Sequence, residues 1–209
     1  METNDKTAML PVGDLFFKTN MMFQRHWKPL LSISALYAAM AFLIDISTSI
    51  LLRAVFLFTA FWVNIALVVA LENLEEPGII SKSFKEGLRL LIPYTILSVA
   101  YGISVAVGLI ILIIPGILLA VWLSLFEYVM VFEEKRYLKA FTRSKELVEG
   151  YSFEVFSRFL IFTIIWFVIA IVLRSIPYFG SILLDLIFFP YITIYFFVIY
   201  KDLSKIKGS

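Results

Sequence analysis

Few residues in this chain are placed to do chemistry, and Glu127 stands apart because it is an acidic residue well inside an apolar stretch. It precedes Glu133 by six residues, which places it about 9 Å deeper along a helix rising about 1.5 Å per residue. An ionised carboxylate at the centre of a membrane span costs roughly 2.5 to 3.5 kcal/mol on insertion scales. Such a group must be protonated, paired or hydrated. Glu127 therefore predicts either a proton or ion relay or a structural pairing, with Arg158 or with Asn64 and the hydroxyls of neighbouring helices. A second feature is a set of polar side chains, each following an aromatic by two residues: Asn64 after Trp62, Ser124 after Trp122 and Thr193 after Tyr191. They either line a polar path or form interhelical hydrogen bonds, worth about 0.6 kcal/mol each in a bilayer. The third is a basic helix carrying Lys135, Arg136, Lys139, Arg143 and Lys145. Each such cation near an anionic membrane surface gains about 1 kcal/mol, so lipid headgroups are its expected ligands. Glu146 and Glu149 offset part of that charge.

Most enzyme chemistry is excluded by composition. The chain has no cysteine and a single histidine, His26, so thiol catalysis, thiolate metal sites and histidine-based constellations are out of reach. Asp45 and Asp185 could pair as an intramembrane dyad, but both fall at outer helix ends, with no glycine-flanked aspartate motif beside them. No phosphate-binding glycine loop and no basic-aromatic nucleic-acid surface occur. The expectation is a protein that is not an enzyme and needs no metal or cofactor.

These residues are carried by elements that composition makes membrane-embedded. Of 209 residues, 61% are hydrophobic and 16% charged, too little polar surface for a water-soluble globule of this size. Leu90 to Phe126 is an uncharged run of 37 residues, whereas one crossing needs about 20. That run must cross, turn and return. The spacing predicts an amphipathic helix over 12–24, then a first span from Pro29 to Ile44 with Trp27 and Lys28 at its edge. A second span follows over about 51–71, ending in Glu72, Glu75, Glu76 and Pro77-Gly78. A second amphipathic segment, 79–91, feeds a third span in whose first turn Pro93 falls. Pro115-Gly116 is the expected break before a fourth span reaching Phe132. A basic helix over 135–149, capped by Gly150, leads to a fifth span over about 153–173. Pro177, Gly180 and Ser181 make the last outer turn, and the sixth span, about 181–200, has Pro190 as an expected kink.

The charge distribution orients these spans. Of the eighteen lysines and arginines, only Arg53 and Arg174 fall on the side opposite the N-terminus; each has an aspartate near it in sequence, Asp45 and Asp185. The positive-inside rule then places both termini in the cytoplasm. Three segments also fit one template, with phenylalanine third and a small residue fourth. They begin Val12, Leu15, Phe16, Thr19; Ile80, Ser83, Phe84, Gly87; and Tyr137, Ala140, Phe141, Ser144. Residues 1–209 thus read as a single all-α integral membrane domain of six transmembrane helices. They form three hairpins, each preceded by a cytoplasmic amphipathic helix, in a threefold internal repeat. The units are 12–72, 79–134 and 135–203, after a mobile tail over 1–11.

Ile114-Pro115-Gly116-Ile117 with Ala140, Arg143, Ser144, Leu147, Val148 and Gly150, and the ending from Pro190 to Lys201-Asp202-Leu203, resemble a broad prokaryotic family of six-helix membrane proteins. It includes YciC-like inner-membrane proteins and the membrane domain fused to some glycerophosphoryl diester phosphodiesterases. Glu127 departs from that pattern, at a position usually uncharged. The resemblance implies placement in a prokaryotic cytoplasmic membrane and no catalysis, because the family's phosphodiesterase chemistry belongs to a separate soluble domain. Two functions are expected from these features. The first is a non-catalytic scaffold or accessory protein whose basic belt engages anionic lipids and other subunits, including copies of itself. The alternative is a small transporter, channel or lipid-translocating protein using Glu127 and the polar layer.

Overall fold

A computed structural model describes residues 8–45, 49–176 and 179–208, and the statements below concern those residues. The chain is all α-helical, in the order α1 (Val12–Asp45), α2 (Ile50–Ala70), α3 (Ile79–Ile111), α4 (Ile113–Leu123), α5 (Phe126–Phe132), α6 (Leu138–Val148), α7 (Ser152–Arg174) and α8 (Phe179–Ile206). Six stretches are long and apolar enough to cross a membrane: α1, α2, α3, α4 with α5, α7 and α8. Their outer faces are strongly apolar, with Ile50 at 81%, Ile110 at 84% and Ile114 at 79% exposure. Water would not tolerate that surface, whereas lipid tails match it. The fold is that of a multi-pass membrane protein.

Local chemistry sets the breaks. In α1 the backbone leaves helical geometry at His26 (φ −122°, ψ 25°), three residues before Pro29. Proline lacks the N–H for the carbonyl four residues back and its ring crowds that turn, so α1 divides there into the expected amphipathic and apolar parts. The α3 segment differs from expectation. Its amphipathic and apolar parts are one helix of 33 residues, so Pro93 lies in the helix interior, and its missing N–H removes a backbone bond to Arg89. The break after α3 falls at Leu112, which is extended (φ −154°, ψ 132°), and not at Pro115-Gly116. Pro115 is the third residue of α4, where a backbone N–H has no intrahelical partner in any case. Gly116 is needed for a close approach: a Cβ there would run into the backbone of Leu109.

The fourth span is also divided, between α4 and α5. Ser144, fully buried on α6, donates to the carbonyl of Trp122 at 2.7 Å and accepts from the Leu125 N–H at 3.1 Å. One hydroxyl thus satisfies both sides of the break. Gly150 ends the α6 region with φ +91°, the left-handed cap its position predicts. α8 runs as one helix through Pro190. Within the stretch expected as a tail, Leu10 is held at both backbone polar groups, by Asp202 and Arg158. Residues 1–7 of that tail, most of the first outer turn, Pro177 of the last and the Asp45 side chain lie outside the described residues.

Three aromatic contacts organise the interior. Phe16 of α1 meets Tyr195 of α8 with ring centroids 5.1 Å apart, Phe84 of α3 meets Trp62 of α2 at 5.3 Å, and Phe141 of α6 meets Phe126 of α5 at 5.5 Å. Beside each phenylalanine the template's small residue, Thr19, Gly87 or Ser144, is buried. The segment carrying Phe84 therefore lies on the helix before it, α2, the one carrying Phe141 on α5, and the one carrying Phe16 on α8. The contacts close a ring, joining the start of the chain to its end.

Candidate functional site

Glu127 is the second residue of α5, just after the break, and this places its half-buried carboxylate among α2, α3 and α8. Its Oε2 accepts from Asn64 Nδ2 of α2 at 3.2 Å and from the Tyr94 hydroxyl of α3 at 3.3 Å. Asn64 Nδ2 also donates to the Tyr94 hydroxyl oxygen. The three polar groups form one connected set, held by Phe61 and Phe126 packing on the Tyr94 ring at 5.9 and 6.0 Å. Among the described residues no lysine or arginine pairs with Glu127. The expected partner Arg158 is engaged elsewhere. Its Nη1 donates to the Glu154 carbonyl at 2.9 Å and its Nη2 to the Leu10 carbonyl at 2.6 Å.

A cavity of about 360 Å³ opens beside the carboxylate, and Asn64, Ser124, Glu127 and Thr193 all line it. These four polar side chains come from three of the apolar spans. Their hydrogens are spent locally: Ser124 Oγ donates to the Val121 carbonyl at 2.8 Å and Thr193 Oγ1 to the Phe189 carbonyl at 2.9 Å. The hydroxyl lone pairs and the carboxylate remain as acceptors. The Tyr128 hydroxyl donates to the Thr193 carbonyl at 2.8 Å, and the Tyr101 hydroxyl to that of Ala120 at 3.2 Å. Tyr94, Tyr101 and Tyr128 escape the sequence reading. Tyr94 and Tyr101 stand seven residues apart, two turns along one helical face, and a tyrosine in an apolar span needs a partner for its hydroxyl. That was the available signal.

The basic set is divided by the fold. Arg143 Nε reaches both oxygens of Glu133, at 3.0 and 3.2 Å, Lys135 Nζ lies 2.8 Å from Oε2, and the Tyr200 hydroxyl donates at 3.4 Å. Arg143 also stands 3.5 Å from Glu146. Lys145 sits 4.6 Å over the Trp122 ring. Arg136 and Lys139 remain exposed, and so do Tyr137 and Leu138 between them. A larger cavity, about 620 Å³, lies at this end, lined by Lys82, Arg89 and Arg136 with Glu72, Glu86 and Glu134.

Six apolar spans around a polar site, with a basic rim, define a multi-span membrane protein with a half-buried carboxylate among its spans. Comparison with family models, with curated proteins and with solved structures finds no match to this chain.

Proposed function

We propose that this chain is a non-catalytic membrane scaffold or accessory protein whose basic rim engages anionic lipid headgroups and neighbouring subunits. The observation that carries this reading is the run Arg136-Tyr137-Leu138-Lys139, in which all four side chains are exposed. Apolar side chains flanked by cations suit the boundary between acyl chains and headgroups, where aromatics anchor and long cations snorkel. The adjoining 620 Å³ cavity supports it. Lys82 and Arg89 there are paired with Glu76 and Glu86 at 2.7 Å in exposed salt bridges, and such pairs, worth about 0 to 1 kcal/mol, exchange readily for a phosphate. In this reading the rim faces the cytoplasm of a prokaryotic cell, and the three ring-closing contacts descend from a three-unit repeat. The family resemblance carried by Pro115-Gly116 and by Arg143-Ser144 supports the same placement.

Native mass spectrometry of protein released from nanodiscs tests the proposal. Phosphatidylglycerol should be retained over phosphatidylcholine, on a defined oligomer, and the pair Arg136→Gln with Lys139→Gln should remove most of that preference. Equal retention of the two lipids, on a monomer, would overturn it.

A second reading, a small transporter or channel, is favoured by one observation: Asn64, Ser124, Glu127 and Thr193 meet at a single cavity. Proton and cation flux into proteoliposomes should then depend on Glu127. An unchanged flux in Glu127→Gln removes this reading.

A further inference from the structure

We infer that the cavity beside Glu127 is a binding site for a lipophilic organic cation, an ammonium head on a small apolar body. The inference deepens the second reading above, on which it rests for the cavity's being open to a ligand. Three features of the wall carry it. Among the described residues Glu127 is its sole charged side chain, and its carboxylate is met by neutral donors, Asn64 and Tyr94, with no cation balancing it. Aromatic rings dominate the rest: Tyr101, Tyr128, Phe159, Phe188, Phe189 and Phe196. An aromatic wall around one carboxylate is the recognition chemistry of ammonium groups, because the negative faces of the rings add to the carboxylate's attraction in a poorly hydrated site.

The same wall rejects other ligand classes. No lysine, arginine or histidine lines it, so a phosphate, sulfate or carboxylate would be desolvated unpaired and beside a like charge. A divalent metal would want several oxygen ligands, most of them charged or free to turn toward it, whereas this wall offers one carboxylate, an amide and four hydroxyls already tied to backbone carbonyls. A purely apolar chain would fill the volume but leave the carboxylate without its counter-charge. The volume, about 360 Å³, lies at the small end of the range for ligand sites, which suits a compact amine and not a whole phospholipid.

Benzyltrimethylammonium is the probe, and neopentylbenzene, of the same shape and uncharged, is its comparison. Both are titrated against the full chain in nanodiscs of phosphatidylcholine, with binding followed calorimetrically. The cation should bind saturably at one site per chain, at least about ten-fold tighter than the neutral isostere. Glu127→Gln should weaken the cation by about ten-fold or more while leaving the isostere unchanged. Ala120→Phe, which adds bulk at the cavity wall, should abolish binding of both. Should Glu127→Gln fail to fold, the comparison of the two probes on the unaltered chain and Ala120→Phe still decide. Equal affinities for cation and isostere, cation binding that survives Ala120→Phe, or no saturable cation binding overturn the inference. Cation binding without Glu127-dependent flux keeps the site and removes the transport reading. Glu127-dependent proton flux without cation binding does the reverse.

Discussion

Arg158 and Asp202 hold the same residue at its two backbone polar groups: Arg158 Nη2 donates to the Leu10 carbonyl at 2.6 Å, and Asp202 Oδ2 accepts the Leu10 N–H at 2.8 Å. The two side chains belong to α7 and α8 and are charged, and they meet only through the backbone of a residue 148 positions before Arg158. Arg158 is 7% exposed, so its guanidinium is stabilised by carbonyls and not by water. The clamp ties the start of α1 to the last hairpin and completes the ring of contacts begun by Phe16 and Tyr195.

Cutting either half of this clamp should free the N-terminal segment and little else. A hydrogen bond to a charged group is worth about 1.5 to 3 kcal/mol. Arg158→Met keeps the apolar stem but removes the donors. Amide exchange across residues 8–16 should therefore accelerate by about ten-fold or more, with α2 unaffected. Asp202→Ala should do the same, and exchange at wild-type rates in both variants would show that the clamp does not secure the segment.

The Ser144 hydroxyl is the joint between α6 and the α4–α5 break. Ser144→Ala strands the Trp122 carbonyl and the Leu125 N–H in a buried site, at a cost of about 1 to 3 kcal/mol. Thr142, two residues away, is exposed and only bonds back to the Leu138 carbonyl at 3.0 Å, so Thr142→Ala should stay within about 0.5 kcal/mol. Denaturant titration in micelles, comparing the two alanines, separates a structural joint from a helix that merely lies alongside.

Gly116 and Gly102 give a second internal comparison. A Cβ on Gly116 runs into Leu109, while one on Gly102 meets nothing within 4 Å. Gly116→Ala should destabilise by about 1 to 3 kcal/mol through overpacking. Gly102→Ala should be neutral or should stabilise by up to about 1 kcal/mol. If the two variants unfold at the same denaturant concentration, the approach of α3 to α4 is looser than the geometry implies.

How much of this was legible in the sequence follows from what each feature depends on. Spans and the basic rim depend on run lengths and charge positions along the chain, and the Leu90–Phe126 run alone forced a hairpin. The break at Leu112 was within reach, since Pro115 sits comfortably in a helix's first turn and need not end the preceding one. The clamp was not, because nothing local to Arg158 announces Leu10 as its partner. Glu127 was readable as an anomaly, but the choice among its partners depended on helix rotation. That put Tyr94 and Asn64 within reach and turned Arg158 away.

Orientation is the remaining step, and the chain suits a direct measurement of it because it contains no cysteine. Each introduced cysteine is therefore the sole thiol. Ser81 and Lys205 are exposed near the basic rim, and Ser49 and Ser175 are exposed at the other ends of the spans. In the reading proposed above the rim, which carries nearly all of the lysine and arginine, faces the cytoplasm. A membrane-impermeant maleimide should then label Ser49→Cys and Ser175→Cys from outside intact cells or spheroplasts. Ser81→Cys and Lys205→Cys should react only in inverted vesicles. The reverse pattern would turn the basic rim outward and end the proposal that it engages cytoplasmic anionic lipid. A mixed pattern within one pair would mean that the chain does not cross six times.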